Sequence, residues 1–168
     1  MGGMAFEPPI GPPGYKRMRE RKMFPPIEEL KALTDKPRTD ATYVRTAASL
    51  EYSLVGAYQQ IIENKYTSDA TILELVNIFS EHHTAHAEAL AGVTKQLGAN
   101  ACTTSNPKID SYLIHPLLAL VEASGANQAE DVKALVYSLE ALATSTYQSV
   151  VPVFNQQSLR YAAMSIGS

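Results

Sequence analysis

The sequence predicts an all-α fold, a four-helix bundle with one long crossover, preceded by an extended Pro-rich N-terminal arm. Three observations carry this reading. From Thr39 to Ser168 the apolar residues recur at three- and four-residue spacing, with no sustained alternation of the kind a half-buried strand needs. Residues 1–38 hold seven of the ten prolines, and their Pro-Pro steps fit neither helix interiors nor central strands. Between the second and third long apolar stripes lies a connection, 98–129, broken by Asn106-Pro107 and Gly125.

The arm reads as extended over 1–26, with a short helix at 27–34. Residues 1–38 carry eight of the fourteen basic residues against five acids, a balance of +3, which leaves −6 on residues 39–168. One reading of the arm is a solvated tail. The other is an arm laid across a second subunit or a larger complex, with Lys16, Arg17, Arg19, Arg21 and Lys22 meeting an acidic surface. Phe6, Ile10, Tyr15, Met18, Met23 and Phe24 are more apolar than a solvating tail requires. The acidic body of the same chain is a further candidate surface.

Helix one is expected over about 40–64, with Asp40 as N-cap and Tyr43, Val44, Ala47, Leu50, Leu54, Tyr58, Ile61 and Ile62 inward. Helix two starts at Thr67-Ser-Asp and runs to Leu97, where Gly98 closes it. Its stripe is Ile72, Leu75, Val76, Phe79, His83, His86, Leu90 and Val93. The crossover holds a short helix at about 108–123. Helix three, about 130–154, buries Val132, Leu135, Val136, Leu139, Ala143, Tyr147 and Val150, with Pro152 near its end. Asn155 can cap a last helix over 156–168.

Composition excludes several classes. A net charge of −3 and a pI near 5.8 lack the basic footprint of a general nucleic-acid binder. The single cysteine, Cys102, forms no internal disulfide and no cysteine-based zinc or iron–sulfur site within the chain. No apolar run is long enough for a transmembrane helix. The segment after Met1 has no basic-then-apolar signal pattern, so the expected location is the cytoplasm unless a presequence preceded Met1.

Polar residues on the inward stripes carry the chemistry. Glu51 lies four residues after Ala47 and three before Leu54, and Glu140 lies four after Val136 and three before Ala143. Each therefore points into the bundle, where a carboxylate is costly unless paired or bound to a cation. The two positions share a pattern: Ser49-Leu-Glu51 is followed by Tyr58-Gln59 and Ile61-Ile62, and Ser138-Leu-Glu140 by Tyr147-Gln148 and Val150-Val151. Seven aligned positions at a constant offset of 89 residues read as an internal repeat. His83 and His86 stand one helical turn apart on the inner stripe of helix two, with His82 at its edge and Glu81 and Glu88 outward. Two inward histidines facing two inward glutamates suit one or two iron or manganese ions, and zinc remains compatible. His115, before Pro116, reads as structural.

The arrangement over about 40–168 resembles the ferritin-like superfamily, and within it the bacterial ferritin-like domain-containing proteins. The resemblance implies a glutamate from each of two helices and a Glu-x-x-His pair from each of their partners around two metal ions. Glu51 and Glu140 match the lone glutamates. The pair on helix two reads His83-x-x-His86, with histidine where di-iron members carry glutamate. The offset of 89 puts the equivalents of His83 and His86 at positions 172 and 175, past Ser168, where the resemblance also places a Glu-x-x-His pair.

Three functions follow. The first is a metal-dependent oxidoreductase, with Tyr58 and Tyr147 as outer-sphere or redox-active phenols. The second is metal binding or storage without turnover at Glu51, His83, His86 and Glu140. The third is a structural or accessory subunit with a degenerate site, joined by its arm to a homo-oligomer or a larger complex. The tyrosines have a simpler reading as bulky core residues with satisfied hydroxyls.

Overall fold

The computed structural model describes residues 37–167. The expected arm over 1–26, its helix at 27–34 and the final Ser168 lie outside the described residues. Within them every regular element is helical.

Helix α1 is Pro37–Glu63 and α2 is Ala70–Gln96. They are joined by a turn in which Lys65 takes a left-handed φ of 53°. Asp69 caps α2, accepting from the backbone N–H of Thr71 at 2.9 Å and of Ile72 at 3.2 Å. Gly98, at φ 76°, closes it, a backbone conformation that suits glycine.

The crossover helix α3 spans residues 107–123: Pro107–Ile109, a π-helical turn at Asp110–Ile114, and His115–Ala123. Asn106 caps its start through Lys108 and Ile109. The same residue is tied to α1, its backbone N–H donating to Ser53 Oγ at 2.9 Å and its side-chain amide to Ser49 Oγ at 3.2 Å. The serine of the first repeat copy thus fixes where the crossover begins.

Helix α4 is Gln128–Val150, and α5 is Gln157–Ile166. Pro152 stands in a 3₁₀ turn, Val151–Val153, so α4 stops four residues before the expected 154. Asp40 is not an N-cap, because α1 begins three residues before it. It is fully buried and instead accepts from the backbone N–H of Asn155 at 2.9 Å and of Gln156 at 3.2 Å. A carboxylate from α1 therefore satisfies the amides that lead into α5. That replaces the expected Asn155 cap: Gln156 occupies the cap position without a side-chain bond.

Two apolar clusters fill the bundle. One holds Leu50, Leu54, Tyr58, Ile61, Ile72, Val76, Ile114, Leu118, Val132, Val136 and Leu139. The other holds Val44, Ala48, Leu90, Tyr147, Phe154, Leu159 and Ala163. Each fully buried Leu or Ile contributes about 2 kcal/mol. On α1 and α2 the clusters give way to one another near Glu51 and His83, so the polar residues occupy the seam. Leu75 was expected inside, but it is 44% exposed. It stands on an apolar groove between α2 and α4, with Ile72, Phe79, Val136 and Tyr137. Among the described residues no helix is long and apolar enough to cross a membrane.

Candidate metal centre

Four side chains from three helices meet at the seam. Glu51 on α1 is fully buried, and His83 on α2 is 4% exposed. His86, one turn along α2, and Glu140 on α4 are each about a third exposed. His83 Nδ1 lies 2.5 Å from Glu51 Oε2, and its Nε2 lies 2.9 Å from Glu140 Oε1. His86 Nδ1 lies 3.7 Å from Glu51 Oε2. Ligand atoms of Glu51, His83 and His86 all fall within 4.8 Å of one another.

His83 occupies the middle of this set. A neutral imidazole donates from only one ring nitrogen, whereas an imidazolium donates from both. With a carboxylate oxygen at each nitrogen, the protonated ring is the matching form. Burial alone would lower its pKa. Hydrogen bonds to Glu140 and Glu51, and their charges, outweigh that and push it up to about 9. For Glu140, burial acts upward, but the bonds from His83 and Tyr58 prevail and hold the carboxyl below its usual range. The His83 ring stacks on Tyr58 with centroids 5.7 Å apart, and Tyr58 stacks in turn on Phe79 at 6.3 Å. Those contacts set the plane of the imidazole.

The two tyrosines are crossed. Tyr58 of the first repeat copy donates to Glu140 of the second, and Tyr147 of the second donates to Glu51 of the first. Burial, the hydrogen bonds and the neighbouring carboxylates all push both phenols up, so they stay protonated donors. The repeated Glu-to-Tyr spacing is thus a reciprocal brace between α1 and α4.

Tyr147→Phe leaves Oε1 of the buried Glu51 without its donor and is expected to destabilise the metal-free protein by about 1–3 kcal/mol. Tyr58→Phe is expected to cost less, because water reaches Glu140. Urea midpoints of the two variants compare these losses, and equal losses would contradict the brace as described.

The side chains line a cavity of about 280 Å³, bounded also by Phe79, His82, Ala143, Thr144, Tyr147 and Ile166. His82 is exposed yet shares this lining, a position that helical spacing alone left at the stripe's edge. The donors suit a cation of intermediate character, since imidazole and carboxylate together serve iron, manganese and zinc. One atom tests the fit. His86 Nδ1 is buried and has no hydrogen-bond partner among the described residues. A buried ring nitrogen without a hydrogen bond is costly, and coordination to a cation would satisfy it.

Residues 39–168 match the family described as Ferritin-like domain. The chain belongs to the ferritin-like domain family. No curated protein and no solved structure matches it significantly. His83 spans the two glutamates in this chain, Glu51 at Nδ1 and Glu140 at Nε2.

Proposed function

We propose that this ferritin-like protein binds iron or manganese, one or two ions, through Glu51, His83, His86 and Glu140. The observation that carries the reading is Nδ1 of His86, buried without a hydrogen bond among the described residues and 3.7 Å from Glu51 Oε2, within a cluster of metal-ligating atoms. Bound iron or manganese supplies one-electron redox chemistry. The chain's own residues supply the rest: Glu51 and Glu140 give negative oxygens, and Tyr147 and Tyr58 orient them. Phe79 and Tyr58 wall the imidazole from solvent on one side. The test is elemental analysis after loading with Fe(II) or Mn(II) and gel filtration. At least one retained ion per chain is expected, and none would defeat the assignment. On Fe(II) addition, a single stoichiometric consumption of oxygen marks storage, and continuing consumption marks an oxidoreductase.

A second reading rests on a different observation. His83 already bridges both glutamates, and each also accepts from a phenol, which is the pattern of a polar core held together without an ion. Under it the protein is an accessory subunit, held in a homo-oligomer or larger complex by the arm over 1–38. Deleting residues 1–26 is then expected to lower the mass measured by light scattering. An unchanged mass together with unchanged co-purifying proteins would leave the arm a passive tail.

A further inference from the structure

The proposed centre lies behind a partly exposed cavity wall, and that wall carries unspent donors. Glu140 accepts both of its hydrogen bonds, from Tyr58 and from His83, on Oε1. Oε2 therefore has no protein partner among the described residues, on a side chain that is 31% exposed. His82 is exposed, makes no hydrogen bond among the described residues, and lines the same cavity as Glu140. Farther in, Glu51 is fully buried and His83 nearly so.

A divalent cation arrives hydrated. Moving it in one step into a position lined by buried groups would strip its waters before the ligands replace them. An imidazole and a carboxylate oxygen on the solvent side allow those waters to be exchanged in stages. Glu140 bridges the two environments, since its Oε1 already faces His83 while its Oε2 is unclaimed.

We propose that His82 and Glu140 Oε2 form an outer subsite through which a divalent transition-metal cation passes on its way to Glu51, His83 and His86. The proposal rests on the metal-binding reading above and assigns His82 a role in the path of the ion rather than in its final coordination. A subsite on the path speeds loading and release alike, so it changes rates without changing the equilibrium.

The test is stopped-flow mixing of the metal-free chain, residues 1–168, with Co(II), read by visible absorption of the bound ion. Release to excess EDTA is measured in parallel. His82→Ala is expected to load roughly tenfold more slowly and release more slowly by the same factor, at unchanged Kd and stoichiometry. His115→Ala removes an exposed histidine outside this cavity and is expected to load at the unmutated rate. An unchanged loading rate in His82→Ala overturns the proposal, as does slowing of equal size in His115→Ala. A weakened Kd with unchanged loading rate also overturns it, because His82 would then be a ligand of the resting ion. Failure of the unmutated chain to bind Co(II) removes the centre itself, a result distinct from each of these.

Discussion

His86→Ala is expected to lower metal affinity at least about a hundredfold while leaving the stability of the metal-free protein within about 1 kcal/mol of the original. The asymmetry comes from what His86 does and does not touch. Its Nδ1 makes no hydrogen bond among the described residues, only a long 3.7 Å contact with Glu51 Oε2, so truncation breaks no hydrogen bond there and removes a buried unsatisfied atom. Lost ring packing against His83, whose centroid is 6.0 Å away, offsets part of that gain. In a metal complex the same nitrogen would be a direct ligand, so its loss should exceed the usual cost of removing an outer-sphere partner. Calorimetric titration with Mn(II) and urea unfolding of the metal-free protein give the two quantities. Unchanged affinity, or a large loss of metal-free stability, would make His86 a structural residue. Glu51→Ala combined with His86→Ala should abolish binding. The single variant is the cleaner measurement because Glu51→Ala also strands His83 and Tyr147.

The second large effect is on pH dependence. His83 has a pKa of about 9 in the folded chain against 6.5 when unperturbed. A raised folded-state pKa means that the folded protein holds its proton more tightly than the unfolded chain does. The resulting stabilisation is fully present below about pH 6.5 and is lost as pH rises through 9. It amounts to on the order of 3 kcal/mol. Urea midpoints of EDTA-treated protein at pH 6, 7.5 and 9.5 should fall in that order, and a flat profile would contradict the imidazolium bridge. Metal binding has the opposite slope. Coordination by His83 requires its proton to leave, so affinity should climb with pH up to about 9 and loading should release a proton.

Much of the fold was legible because two signals agreed. Helical apolar spacing marked α1, α2 and α4, while Asp69 and Gly98 marked the two ends of α2 and Asn106-Pro107 the start of α3. Asp40 was misread because a cap is inferred from sequence neighbours. Its actual partners, Asn155 and Gln156, are 115 and 116 residues away. Leu75 was misread because periodicity tells which face a residue shares but not whether another helix covers that face. At the candidate centre, inward glutamates and histidines could be read from spacing. The crossed Tyr58–Glu140 and Tyr147–Glu51 bonds could not, since a repeat shows that two copies match and not which copy serves which. The position of His83 between both carboxylates is likewise a three-dimensional fact about three helices.

The most direct measurement is a crystal structure of protein loaded with Fe(II) or Mn(II), with anomalous diffraction collected at the absorption edge of that metal. An anomalous peak bounded by Glu51, His83, His86 and Glu140 is expected, with His83 Nδ1 or Nε2 drawn away from its carboxylate partner. No peak there, with His83 still hydrogen-bonded to both glutamates, would contradict it.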